Sequence, residues 1–295
     1  MFDYNEAFSR NIGWVTESEQ NTLRNATVAI AGMGGVGASH AIDCSRLGIG
    51  NIKVSDLDDY DVANFNRQAG AFMSTVGMPK SEVMVRTIKD INPECNVENF
   101  DTGISLDNLD EFLKGVDVYI DSLDIFALEI RRAVFKRCYE LGIPAITAAP
   151  MGLGGAMLCF TKDSMKFEDY FDFKDAPASA TDDTKDQTFN ENIIRFVCGV
   201  SPSVQQRHYL VEQGSVNFLN KKVPSAAMGI SLATGILCSN VFKLLLKRGE
   251  VITAPRGLHF DAYRNKLIKT WRPFGNRNPL QKYMFKVIKG MLDKQ

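Results

Sequence analysis

Two hydrophobic periods take turns along this chain. Val28-Ala29-Ile30-Ala31 is a short unbroken apolar run, the pattern of a strand buried on both faces. Ala38–Leu47 and Met78–Ile91 repeat at helical spacing instead, the second through Val83, Met84, Ile88 and Ile91. Gly48 stops the first of these helices and Pro93 breaks the pattern after the second. The alternation continues with strands at 52–55, Val97–Asp101, Val116–Asp121 and Pro144–Ala149, and with helices at Ser105–Lys114 and Phe126–Leu141, the latter ended by Gly142. Ahead of them come a short helix, a turn at Gly13 and a helix capped at Thr16. Strands alternating with helices predict an α/β fold: a Rossmann-like, mostly parallel sheet with right-handed crossovers and helices on both faces. Ala156–Thr161, Leu258–Asp261 and Leu267–Trp271 extend it antiparallel, the last two joined by a hairpin-like turn at Arg264-Asn265.

Two segments stand apart. Asp172–Asn192 carries Asp182, Asp183 and Asp186 without periodicity and is expected as a mobile loop (172–192) over the site. Leu280–Leu292, just after Pro279, sets Met284, Phe285, Val287, Ile288, Met291 and Leu292 against Lys282, Lys286 and Lys289. It is expected as an amphipathic terminal helix (275–295) packing on its own domain or on a dimer mate, with a membrane-surface or partner-binding helix as the alternative.

The 295 residues fit one large domain, 1–295, with an N-terminal helical arm at 1–26. Hydrophobic content of 45% supplies a core. The formal net charge of -1 gives no argument in the total for nucleic acid or an anionic membrane. No apolar run is read as reaching transmembrane length, and the opening MFDYNEAFSR is no signal peptide, so the cytoplasm is expected and no membrane partner.

The chemistry begins at Gly32-Met33-Gly34-Gly35-Val36-Gly37, directly after the first strand. Such a glycine-rich turn brings bare backbone N–H groups and a helix N-terminus against phosphate oxygens. Asp56 ends the second strand, where a carboxylate takes ribose hydroxyls, and Asp58 on the same turn can assist. An NAD-dependent oxidoreductase would share these features. Arg67 and Lys80 are cations for which such an enzyme has no standard use, and they point to a triphosphate.

With these residues on the page, the chain resembles the ThiF/MoeB/HesA family of ATP-dependent adenylating enzymes, from about Arg10 to Pro273. The resemblance rests on AIAGMGGVG, SDLDDYDVANFNRQ, VGMPK, Tyr119-Ile120-Asp121-Ser122-Leu123-Asp124 and the late helix Pro224–Leu246. It implies an adenylyltransferase that activates a carboxylate as an acyl-adenylate and releases pyrophosphate. The carboxylate would belong to the C-terminus of a ubiquitin-like protein, to a peptide, or to a modified nucleoside such as threonylcarbamoyladenosine, so that tRNA is among the partners. ATP would lie on Gly32, Gly34, Gly35, Gly37, Asp56, Asp58, Asn64, Arg67, Gln68 and Lys80. Asp124 stands at the magnesium-ligand position, with Asp121 as a second ligand or a helix cap, and Arg131 and Arg132 as structural residues. Arg10 corresponds to an arginine finger sent into the neighbouring subunit of a homodimer. Arg10, Asn64, Arg67, Lys80 and Asp124 are the catalytic set. Ala63 replaces the usual Ser or Thr, and Ile125 the usual Asn.

The cysteines define the subtype. None of the six forms a CxxC pair, so the structural zinc of many relatives is not expected here. The 163–194 stretch, where relatives that pass on sulfur or a ubiquitin-like protein keep a nucleophilic cysteine, has none. Cys159 and Cys198 read as buried structural thiols. The acyl-adenylate would then go to a non-cysteine acceptor, as in the threonylcarbamoyladenosine dehydratase branch. A non-catalytic nucleotide-binding scaffold is the remaining alternative, favoured by Ala63 and Ile125.

Overall fold

The computed structural model describes residues 1–177, 179–215 and 223–292. One eight-stranded sheet organises them, in the order β3-β2-β1-β4-β5-β6-β7-β8. β1 (Thr27–Ala31), β2 (Asn51–Ser55), β3 (Asn96–Phe100), β4 (Val118–Asp121) and β5 (Ala145–Met151) pair in parallel. β6 (Gly154–Phe160), β7 (Arg256–Asp261) and β8 (Lys266–Trp271) continue antiparallel, as the hairpin signal at Arg264-Asn265 requires. The chain winds from β1 toward β3 and then restarts at β4 on the other side of β1. Open sheets of this kind bind ligands at that reversal, outside the C-terminal ends of the strands.

Helices cover both faces. α1 (Tyr4–Ala7) and α2 (Glu17–Asn25) form the N-terminal arm, α2 opening on a Thr16–Glu19 capping box. On one face, α3 (Gly35–Arg46), α4 (Lys80–Ile91) and α9 (Ala227–Leu246) bury Ala41, Cys44, Met84, Ile88, Leu237 and Val241 against Val28, Ile30 and Val54. On the other, α5 (Leu109–Leu113), α6 (Leu128–Leu141), α7 (Phe167–Phe171) and α8 (Asp182–Val200) bury Phe112, Phe135, Phe171 and Phe196 against Tyr119 and Phe160. α6 ends at Gly142, whose φ of 73° is the left-handed conformation that glycine adopts without strain.

Two expectations change, and the terminal helix packs on its own domain. The 172–192 segment is not an aperiodic loop: from Asp182 onward it is α8, capped by the Thr181 side chain and carrying Asp182 and Asp183 in its first turn. Residue 178 of that segment lies outside the described residues. The terminal helix is α10 (Pro279–Leu292), which packs on α8 with the Arg195 guanidinium 4.8 Å from the Phe285 ring centroid. Residues 293–295 of the expected 275–295 helix lie outside the described residues. Against the expectation that no apolar run reaches transmembrane length, α9 is by length and composition long and apolar enough to cross a membrane. It packs on β5, β6 and α3, the place of a core helix.

Candidate functional site

The glycine turn sits at the reversal point. Gly34 caps α3 and Gly35 begins it, so the turn is itself the helix N-terminus, with its outward N–H groups and partial positive charge. Gly32 has a φ of 90°, and a Cβ there would collide with the Ser122 carbonyl just beyond β4. Gly37 is packed so tightly that a Cβ would overlap the Gly32 carbonyl. These contacts press the loop after β4, which carries Asp124, onto the turn after β1.

Asp56 spans the crevice floor. Its Oδ2 accepts a hydrogen bond from the Met33 N–H and its Oδ1 one from the Asp58 N–H at 2.8 Å. Burial holds its carboxyl above the usual carboxylate range, opposed by those two N–H donors and by Lys80. A bridge between Asp59 and Pro79 then folds the chain back, and the Lys80 N–H reaches the Asp58 carbonyl at 2.9 Å. The Lys80 ammonium donates to Asp58 Oδ2 at 2.9 Å. A lysine at a helix N-terminus is electrostatically unfavourable without an anionic partner, and here that partner is Asp58 of the same chain, which is thus a lysine holder as well as a neighbour of Asp56.

The 64–68 segment lies over the turn. A Cβ on Gly34 would come to 3.8 Å from Gln68 Nε2, and one on Gly35 to 3.9 Å from the Arg67 carbonyl. Gln68 Oε1 is a buried acceptor without a hydrogen-bond partner among the described residues. Arg67 Nη1 donates to the Ala63 carbonyl at 2.8 Å and to Asn66 Oδ1 at 2.9 Å; its other N–H groups make no hydrogen bond among the described residues. Asn64 Oδ1 accepts from the Asp61 N–H and fixes the start of this segment.

Asp121 and Asp124 separate into different roles. Asp121 is fully buried and paired with Arg131 Nε at 2.9 Å, so it is neither a solvent-facing metal ligand nor a helix cap. Arg131 continues to the Leu123 carbonyl and, at 3.1 Å, to that of Asp124, so this buried pair fixes the loop whose exposed end is Asp124. Asp124 Oδ1 accepts from the Phe126 N–H at 2.9 Å. A single exposed carboxylate fits Mg²⁺, which keeps several waters and takes phosphate oxygens besides one or two protein ligands. Among the described residues, no group of three or more His, Cys, Asp and Glu converges as a metal cage.

Sequence reasoning overlooked His40 and Ser122, which bond at 2.9 Å beneath the turn. Burial pushes the His40 imidazole down to about 3, so it is neutral and props the Ser122 loop. Its place on the helix just after the glycine turn was the available signal. Arg10, by contrast, is remote from the crevice. It lies on the arm, exposed and without a hydrogen bond or ion pair among the described residues, while its neighbour Asn11 reaches the Leu47 carbonyl at the far end of α3. The twelve residues of α3 span about 18 Å between that end and the glycine turn.

Comparison with known proteins gives the chain's family and fold. Over 142 residues the chain is 39% identical to the tRNA threonylcarbamoyladenosine dehydratase of Bacillus subtilis, covering 48% of this chain and 55% of that protein. It is 28% identical over 142 residues to the molybdopterin-synthase adenylyltransferase of Haemophilus influenzae, covering 48% and 58%. The chain thus spans about half the length of the curated relatives it matches. Its fold is that of the E. coli MccB structure with ATP, with a TM-score of 0.64 and 18% identity over 95% of this chain and 76% of that one. It is also that of the E. coli tRNA N6-threonylcarbamoyladenosine dehydratase TcdA, at 0.57 and 22% over 82% and 95%. The ThiF family pattern matches residues 8–282, and this chain is a member of the ThiF family.

Proposed function

We propose that this protein is an ATP-dependent adenylyltransferase that activates a carboxylate. The observation that carries the reading is the continuous path Met33–Asp56–Asp58–Lys80 at the sheet's reversal point, with the buried, unpartnered Gln68 Oε1 above it. Asp56 accepts the ribose hydroxyls. The Gly34–Gly37 N–H groups, Arg67 and Lys80 hold the phosphates, Lys80 exchanging Asp58 for a phosphate oxygen. Asp124, set by Arg131, would hold Mg²⁺, which supplies charge neutralisation along the polyphosphate. An incoming carboxylate oxygen bonds to the α-phosphorus while the bond from that phosphorus to its bridging oxygen breaks, and pyrophosphate leaves with the electron pair. The cations stabilise charge growing on the leaving oxygens.

An oxidoreductase reading leaves Arg67, Lys80 and Asp124 without work. The carboxylate belongs to a macromolecule or peptide, since the relatives' names include both a tRNA modification enzyme and adenylyltransferases. Capture without a thioester is supported by the cysteines, all buried, with burial pushing Cys198 up to about 11 and Cys159 to about 12. The enzyme works as a homodimer: Arg10 lies beyond the end of α3 remote from its own glycine turn, so a two-fold mate is the route by which it serves a site. Carboxylate-dependent exchange of labelled pyrophosphate into ATP tests the reading, and its absence with every carboxylate class named above would end it.

A further inference from the structure

α9 is more apolar than its own fold requires. It has the length and composition of a membrane span, yet only 44% of its most apolar stretch is buried. A helix that is apolar all round is one that is covered all round, by its own core, by lipid or by another chain. The outward face of α9 carries Met228, Ser231, Gly235 and Ser239, all exposed. Both serines turn their hydroxyls back onto their own helix, to the Ala227 carbonyl at 3.1 Å and the Gly235 carbonyl at 2.6 Å, so neither donor is left for water. A Cβ on Gly235 would meet nothing within 4 Å, and an open groove of about 620 Å³ runs from there along Phe242 and the Arg46 end of α3 to Asn11 of the arm.

α3 and α9 run in the same direction, from the nucleotide turn to the arm. At the first end Ile230 Cδ1 lies 2.9 Å from where a Cβ on Gly35 would sit, and Asn66 Nδ2 donates to the Ser225 carbonyl at 2.9 Å. At the second, Arg248 Nη2 donates to the Trp14 carbonyl at 2.8 Å. The two ends differ in charge. Asp59 and Asp61 are exposed beside the first end, and Arg10, Arg46 and Lys247 beside the second, none of them in an ion pair among the described residues. Apolar side chains accompany both: Val62 and Phe65 at the first, Ile12 and the 82% exposed Trp14 at the second. A surface that is acidic at one end, basic at the other and apolar between is complementary to its own copy turned end for end. The outward faces of α3 and α9 present roughly 500 Å², and the arm with the 57–66 segment brings this toward the roughly 800 Å² per partner of a stable interface.

We propose that a second copy of this chain packs on this face, with α9 antiparallel to its counterpart across a two-fold axis at Gly235. The axis sets Ser239 against the partner's Ser231 and lays the Asn11 side of the groove over the partner's Ile230, which carries the arm toward the neighbouring glycine turn. The homodimer inferred above thereby gains a face and an orientation, and for its purpose the face rests on that inference. Sedimentation equilibrium of the full chain at micromolar concentration is the test, with circular dichroism melting to check each fold. Wild type is a dimer. Ser231→Glu/Ser239→Glu weakens it at least about tenfold, because like charges meet across the axis. Ser231→Lys/Ser239→Glu restores it, because each new cation then faces the new anion of the other chain; in a parallel pair like would meet like. A monomeric wild type, a dimer indifferent to the first variant, or a second variant as dissociated as the first each overturns the proposal. So does flotation of wild type with phosphatidylcholine–phosphatidylserine vesicles that the first variant abolishes, which assigns the face to a membrane. A dimer that responds as expected but exchanges no pyrophosphate sustains the face and removes the adenylation reading.

Discussion

Lys80 Nζ lies 2.9 Å from Asp58 Oδ2, with the lysine side chain 7% exposed and the aspartate 73% exposed. The ammonium is thus held in the protein by a carboxylate that water can readily solvate. A phosphate oxygen can take over the ammonium while Asp58 swings into solvent. Lys80→Met should lower pyrophosphate exchange by about 10²–10³, the loss that follows removal of one charge-stabilising donor. Asp58→Asn should keep exchange but lower the melting temperature without nucleotide, by an amount corresponding to about 1 kcal/mol. Saturating Mg-ATP should close that gap, as seen by thermal denaturation.

Acidity should act through Asp56. Its carboxyl is raised by burial, so on acidification it protonates earlier than an ordinary aspartate and gives up an acceptor for ribose. Calorimetric affinity for ATP should therefore fall from the neutral side as pH drops through the raised value, and Asp56→Asn should bind weakly with that dependence gone. Folding carries the opposite sign. The native state binds the proton more tightly than the unfolded one, so stability without nucleotide decreases as pH rises between the two values.

Arg131 and Asp121 form a buried pair, and removing one partner should cost about 3–5 kcal/mol. Arg131→Met should in addition slow exchange in the molecules that remain folded, because the Asp124 loop loses its anchor. Normal turnover per folded molecule, read by active-site titration, would separate Asp124 from this support.

Neither Cys159→Ser nor Cys198→Ser should alter adenylate formation, and denaturing gels should reveal no reductant-sensitive acyl-enzyme. A thioester lost specifically in Cys198→Ser would restore a covalent transfer step.

Mixing Arg10→Ala with Asp124→Ala protein tests the shared site. If the finger acts across the dimer, heterodimers contain one site with both groups and one with neither, so activity partly returns to a mixture of two nearly dead proteins. An arginine finger contributes roughly 10³–10⁵ in rate elsewhere, which makes such recovery easy to detect. Subunits shown to exchange without recovery would place Arg10 in cis or outside the chemistry.

Sequence was most informative where backbone conformation demands a residue type. Gly32, Gly48 and Gly142 all have positive φ, and each marked a boundary before any coordinates were known. It was least informative where a side chain's partner is distant or its face unknown. Asp121 and Asp124 are both acids at a strand end, and only the packing of α6 assigns Arg131 to the first. The first half of α8 resembles a loop in sequence because it is polar and exposed, the buried residues gathering at the Asn192–Val200 end, and its one helical signal is the Thr181 cap with acids after it. The late helix itself is legible, whereas the Gly, Ser, Thr and Asn residues that interrupt the apolar run of α9 hide its transmembrane length.

The length of α3 has a genetic consequence on this reading. With the phosphate turn at one end and the Arg10 arm at the other, each chain would equip a neighbour while depending on that neighbour in turn. An allele lacking only the arginine would then be no silent passenger beside a normal copy. Its product would enter mixed pairs in which the normal chain's site lacks a guanidinium and its own site receives one, so activity would follow the number of normal arms, and the one working site would lie on the altered chain.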